Sequence, residues 1–160
     1  MKKFVCFLVG IIVVLSACTE TDSESEYTIE EAQKNGDVIV EHRVDNFDQI
    51  TQGALDIENI EKMTTLLEKA ENGEAYTVDV SIFNPDGSHY KNTFKTDGEM
   101  ITFENNYGEY KQAPKGTFSC QYIMKRGPMI YVSQCESEEG KEHSTLLGFI
   151  GKEEAFKEAE

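Results

Sequence analysis

The sequence is poor in positive charge, with 15 Lys and Arg against 30 Asp and Glu. Such a balance supplies no counterion-release drive toward phosphates and is repelled by anionic headgroups, so nucleic acid is not an expected partner. Histidine is scarce as well: His42, His89 and His143 are scattered over separate predicted elements, and no two of them stand at ligand spacing, which argues against a zinc site. A nucleophile elbow, a glycine-rich phosphate loop and a His-Glu-x-x-His helix are all missing, so these common routes to an activated nucleophile or metal-bound water lack their signatures. Among 30 acids, strand residues such as Asp79 or Glu99 carry no catalytic meaning without geometry. The residues therefore point away from an enzyme, with an unrecognised hydrolase as the lesser alternative, and call for no metal and no cofactor.

Long apolar runs are also lacking. The only extended one, Phe4 to Leu15, follows Lys2 and Lys3 and ends in Ser16 and Ala17 before Cys18. It is shorter than the roughly 20 residues a helix needs to cross the hydrocarbon core. A basic start, a short apolar stretch and small residues at its end make a signal peptide over residues 1–17. Leu15-Ser16-Ala17-Cys18 is similar to the lipobox of bacterial lipoproteins, in which the cysteine thiol takes a diacylglyceryl group and becomes the new N-terminus. The alternatives are an ordinary secretory signal with a chance cysteine, or an uncleaved short anchor. Each buried methylene contributes about 0.8 kcal/mol, so two acyl chains on Cys18 hold a protein to the extracytoplasmic face of the cell membrane where one would not. The expected partner at this end is thus the membrane itself, reached through lipid.

Residues 18–26 comprise Cys18 and TETDSESE, which has four acids and no large apolar side chain. It cannot offset the entropy of ordering and reads as a solvated tether. Without Lys2 and Lys3 the remaining chain has 13 basic and 30 acidic residues, a formal charge of −17, which chiefly favours solubility. Divalent-cation binding is the alternative reading of this acidity. The nearest fragments, Asp45-Asn46-Phe47-Asp48 and Asn84-Pro85-Asp86-Gly87, lack the alternating oxygens and closing bidentate Glu of a dedicated calcium loop.

Residues 27–150, about 125 positions, suffice for one domain and one core. Residues 151–160 read as a charged C-terminal tail. Thr28 and Glu31 form a capping box for a short N-terminal helix that Gly36 can close. Val38-Ile39-Val40 is a β-branched strand covered on both sides or unresolved by periodicity. The stretch from Asp45 to Ala54 is ambiguous. From Asp56, Ile57, Ile60, Met63, Leu67 and Ala70 recur at helical spacing, with Asn72-Gly73 as the stop. Beyond Gly73 the pattern is antiparallel β. Tyr76 to Ile82 alternates with polar residues, Asn84 to Gly87 is a type I turn, and His89 to Thr96 returns. Asp97-Gly98 marks a tight hairpin into Glu99 to Glu104, and a loop rich in Gly, Tyr and Asn follows. Thr117 to Lys125, a Gly127-Pro128 turn, Met129 to Cys135 and Ser144 to Ile150 complete the set. The predicted fold is α+β: a largely antiparallel β-sheet with one main helix packed on one face, plus the short N-terminal helix.

If Gly127 and Pro128 are the two loop residues of their hairpin, Arg126 faces Met129 and Cys120 falls opposite Cys135. Directly opposed residues at a non-hydrogen-bonded position lie about 4.5 Å apart at Cα, within disulfide reach. A Cys120–Cys135 disulfide is therefore expected in an oxidising compartment, with free buried thiols as the alternative. The aromatics Tyr76, Phe83, Tyr90, Phe94, Phe103, Tyr107, Tyr110, Phe118, Tyr122 and Tyr131 read chiefly as core and cross-strand pairs, with a binding groove as the second reading.

The order of features carries a resemblance. A lipobox and acidic tether precede Tyr27-Thr28-Ile29-Glu30-Glu31-Ala32, which runs into Asn35-Gly36-Asp37-Val38, and a helix closing on Glu71-Asn72-Gly73 is followed by paired cysteines. This resembles the small lipoproteins of Bacillus-type bacteria grouped as domain of unknown function 4362. The similarity spans roughly residues 27–150, and EEAQKNGDV is its most specific part. It implies export and a compact α+β domain and transfers no functional residue. The sequence thus leads to an expectation of a non-enzymatic binding or interaction module of a Gram-positive envelope, contacting another envelope protein, a wall polymer or a small ligand.

Overall fold

A computed structural model describes residues 27–111 and 113–159; the signal peptide, Cys18 and the tether lie outside the described residues. Among the described residues eight strands form one mostly antiparallel sheet, and four helices accompany it. The chain runs α1 (Ile29–Asn35), β1 (Val38–His42), α2 (Phe47–Thr51), β2 (Leu55–Glu58), α3 (Glu61–Glu71), β3 (Tyr76–Phe83) and β4 (His89–Thr96). It continues with β5 (Ile101–Asn105), β6 (Gly116–Arg126), β7 (Met129–Ser137), β8 (Glu142–Ile150) and α4 (Glu153–Ala159). The strand order is β2-β1-β3-β4-β5-β6-β7-β8, in which β1 and β3 alone pair in parallel. From β3 onward each strand pairs with the next, as hairpin signals in a sequence require.

The N-terminal helix forms as its residues dictate. The Thr28 hydroxyl accepts from the Glu31 amide while the Glu31 carboxylate accepts from the Thr28 amide, which satisfies two otherwise orphaned donors. Gly36, at φ 73°, turns the chain left-handed, and Val38, Ile39 and Val40 of β1 are all buried between β2 and β3.

Helical spacing misplaces the start of α3. Asp56 and Ile57 belong to β2, antiparallel to β1, and the helix begins at Glu61. The break is Asn59, at φ 61°, whose side-chain amide donates to the Asp37 carbonyl. Asparagine tolerates that left-handed conformation better than most residues, so the chain can leave a strand and enter a helix within three positions. Met63 and Leu66 are buried, Leu67 and Ala70 partly so, and α3 meets β3, β4, β6 and α4. The ambiguous segment after β1 holds α2, capped by the Asn46 side chain accepting from the Gln49 amide.

Asp97-Gly98 does not make a two-residue hairpin. The Asp97 carboxylate accepts from the amides of Glu99 and Met100, so the turn is wider and β5 starts at Ile101 rather than Glu99. Ser81 departs from the expected wet face of β3: it is fully buried, and its hydroxyl donates to Asp37.

The ladder between β6 and β7 pairs Arg126 with Met129 and Cys120 with Cys135, as hairpin counting predicts. The two cysteines form a disulfide with Cα atoms 3.9 Å apart, and both are buried. Near it the side-chain alternation changes phase. Along β7, Ile130 and Val132 point inward, then Gln134 is exposed and Cys135 is buried. Gln134 has φ 52°, and the paired register passes from Tyr122–Ser133 to Cys120–Cys135 without joining 121 to 134. A period of two cannot cross such a residue unchanged; on the partner strand Tyr122, paired with Ser133, is 53% exposed.

Of residues 151–160, read as a charged tail, the described ones, 151–159, do not trail from the domain. Glu153 to Ala159 is α4, and Phe156 is 1% exposed, edge-on to Phe149 at 6.2 Å. The charges occupy the outer side and a single aromatic docks the helix, a pattern that overall composition conceals. Between the layers, Phe94 stacks on Phe103 at 4.6 Å and Phe103 on Phe118 at 6.2 Å. At Gly148 of β8, a Cβ would lie 2.8 Å from the Phe94 ring, so only glycine lets the last strand approach that stack.

Candidate functional site

The most extensive buried polar cluster gathers at one end of the sheet. His42 is the last residue of β1, Asn84 follows β3, and Tyr107, Glu109 and Tyr110 lie between β5 and β6. His42, Tyr107 and Tyr110 are each no more than 3% exposed. Histidine Nδ1 lies 2.9 Å from Asn84 Oδ1, and Nε2 lies 3.2 Å from the Tyr110 hydroxyl. The Tyr107 hydroxyl donates to Glu109 at 3.1 Å and sits 3.4 Å from His42 Nδ1.

The roles in this chain follow from its outer end. Asn84 Nδ2 donates to Ser88 Oγ, which itself donates to Asp86. Asn84 therefore turns its oxygen to His42, so Nδ1 carries the proton and Nε2 accepts from Tyr110. Burial drives the His42 pKa below 6.5, outweighing the opposing effects of the Asn84 hydrogen bond and the Glu109 and Asp45 charges. Burial raises Tyr107 and Tyr110 well above an ordinary phenol, assisted by Glu109 and by Tyr107 respectively. All three groups are held neutral.

Aromatic packing encloses them. Tyr110 meets Tyr107 at 4.7 Å and Phe47 of α2 at 6.3 Å, while Tyr90 of β4 meets Tyr107 at 5.2 Å. Asn92, fully buried on β4, accepts the backbone amides of Asn106 and Tyr107 on Oδ1, and Asn105 donates to the carbonyls of Ala113 and Pro114. Asn92 Nδ2 has no hydrogen-bond partner among the described residues. On the outside, Lys111 pairs with Asp48 of α2 at 3.1 Å. In this closed arrangement His42 cannot meet a substrate, so the cluster acts as a clasp between β1, α2 and the segment after β5.

A second cluster lies around Asp37, which is 3% exposed. Its carboxylate accepts from the hydroxyls of Tyr27 and Ser81 and pairs with Lys91, which also reaches Asp79 at 3.0 Å. The Tyr27 ring stacks on His89 at 4.6 Å, and His89 faces Phe83 at 4.7 Å. Desolvation lowers the His89 pKa. This cluster pins the first described residue to the sheet.

Of the residues singled out from sequence, Cys18 lies outside the described residues, and Cys120 and Cys135 are bonded to each other. Both acidic fragments serve local structure: Asn46 caps α2, and Asp86 accepts from Ser88 within its turn. No group of three His, Cys, Asp or Glu side chains able to hold a metal occurs among the described residues. Asp79 hydrogen-bonds Thr93, and Glu99 sits in the turn before β5. The aromatics divide as core and cross-strand pairs for the most part, with Tyr122 on the surface. A shallow groove of about 600 Å³ runs over Cys135, bordered by Gln121, Gln134, Glu136, Glu142 and His143.

Sequence reading missed the His42 clasp. Its one signal is Tyr107 and Tyr110 within an otherwise Gly-, Asn- and Lys-rich loop, because two aromatics in a polar loop indicate that the loop tucks inward. No helix among the described residues is long and apolar enough to cross a membrane. No protein family, curated protein or solved structure matches the chain.

Proposed function

We propose that this protein is a lipid-anchored module on the outer face of the cell membrane that binds an envelope protein or wall polymer and performs no catalysis. The observation that carries the reading is Leu15-Ser16-Ala17-Cys18 at the end of a short apolar run preceded by Lys2 and Lys3. The Cys120–Cys135 disulfide supports export, because such bonds persist in oxidising compartments and are rare in the cytosol. The enclosure of His42, Tyr107 and Tyr110 favours binding over chemistry, since the richest set of polar groups is spent on structure. The acidity makes nucleic acid an unsuitable partner.

Kinship with the small Bacillus-type lipoproteins belongs to the same proposal and rests on the stretch from Glu30 to Val38. So does the view of α3 as the main helical cover of one sheet face, supported by its contacts with β3, β4 and β6.

The test is Cys18→Ala, followed by fractionation and palmitate labelling. Release into the medium with loss of label is expected; a variant still bound to the membrane overturns the anchor. Cross-linking on intact cells is expected to trap the wild-type chain with an envelope component. Equal capture by the released variant in free solution would remove the need for anchoring.

A further inference from the structure

Residues 106–111 contact α2, β1 and β4, and His42 sits at their centre. Tyr110 reaches it through a hydroxyl 3.2 Å from Nε2, Tyr107 through a hydroxyl 3.4 Å from Nδ1, and Lys111 ties the outer side to Asp48. We propose that this segment is a lid latched by neutral His42, and that acid releases it.

The donors and acceptors carry the argument. Nδ1 donates to Asn84, whose orientation is fixed by Ser88, so Nε2 has to accept from Tyr110. A second proton on the ring would occupy Nε2 and point at the Tyr110 oxygen. The phenol hydrogen, displaced from its acceptor, has no other partner among the described residues, and Tyr110 is 3% exposed. Nε2 would then donate to the Tyr110 oxygen, leaving the phenol hydrogen without an acceptor beside a buried positive charge, an arrangement that favours expulsion of one of the groups. The movable group is Tyr110, on a loop, because His42 is fixed in a strand paired on both sides.

The surrounding charges do not remove this conflict. Asp45 follows β1, Glu109 belongs to the segment itself, Asp48 on α2 is paired with Lys111, and Asp86 accepts from Ser88 in the β3–β4 turn. Tyr90 presents a neutral ring from β4. Asp45 and Glu109 favour the charged imidazole, and burial outweighs them. On release the imidazole regains water and titrates near 6.5. The proposal concerns the described domain and stands whether or not the lipid anchor is correct.

Amide exchange on the full chain, corrected for intrinsic rates, tests it. Protection of the Asn106 and Tyr107 amides, both accepted by Asn92 Oδ1, is expected to fall between pH 7 and pH 5, toward a ceiling of about 25-fold set by one group titrating at 6.5 when released. Amides of β6 and β7 are expected to hold. His42→Gln removes the titration, and Asn84→Asp lets the closed state accept the proton; either is expected to abolish most of the response, while His89→Gln leaves it intact. Unchanged protection in the wild type overturns the latch. So does an equal loss across the sheet, or a full response in whichever His42 or Asn84 variant folds.

Discussion

The imidazole of His42 and the hydroxyl of Tyr110 meet at 3.2 Å across 68 residues of sequence. This pair joins the first strand to the longest connection in the second half of the molecule, and both partners are buried. Its energetic weight lies less in the bond itself than in what its loss would strand. A buried group deprived of its partner keeps the full cost of its desolvation.

His42→Ala strands the buried Tyr110 hydroxyl, whereas Asn84 Oδ1 keeps the Tyr107 hydroxyl at 3.4 Å, and it opens a small cavity. Destabilisation of about 2–4 kcal/mol is expected at neutral pH, read from urea midpoints at constant slope. The wild-type stability also carries a pH signature. A histidine whose folded pKa lies below its unfolded value contributes fully above about 6.5 and loses that contribution as pH falls below it. His89 shifts the same way, so the wild-type midpoint drops on acidification from pH 7.5 toward 5. His42→Ala flattens part of that decline, and an unchanged pH profile in the variant would remove His42 as its source.

Reduction of the Cys120–Cys135 bridge frees a sequence separation of 15 residues. The chain-entropy model assigns such a loop about 3 kcal/mol. The Cys120→Ala, Cys135→Ala double variant is expected to lose about that much and still fold, because the hairpin register also rests on the Gly127-Pro128 turn. Thermal melts of the oxidised protein and the variant read the difference. Equal melting temperatures would mean that the bridge constrains little beyond the hairpin.

Phe156→Ala tests whether α4 belongs to the core. Its ring packs edge-on against Phe149 and beneath Lys125 Nζ at 4.6 Å. Truncating a buried phenylalanine costs about 3–5 kcal/mol, whereas Glu158→Ala on the exposed side of the same helix should cost less than about 0.5 kcal/mol. Similar small effects from both would return residues 153–159 to the status of a tail.

Local chemistry was enough wherever neighbours in sequence decide the structure. Thr28 and Glu31 close their capping box with each other, Asn84 to Gly87 forms its turn, and the Gly127-Pro128 hairpin brings Cys120 opposite Cys135 by counting alone. Each of these features is settled within about 16 residues, a range over which turn geometry and side-chain period propagate without help. The same locality explains the errors. Ile57 fits a helical period and lies in β2 because β1 supplies an edge to pair with. The tail reading of residues 151–160 missed α4 because charges dominate its composition while one ring, Phe156, makes the contact with Phe149.

The sequence by itself determined the export signal as an expectation, the antiparallel succession of strands from β3 to β8, and the cysteine pairing. Tertiary structure decided the parallel pairing of β1 with β3, the phase change at Gln134, the docking of α4, and the meeting of His42 with Asn84, Tyr107 and Tyr110. The reason is physical. A buried hydrogen bond has no periodicity and no local propensity, and it exists only because the packing of remote elements excludes water from both of its ends at once.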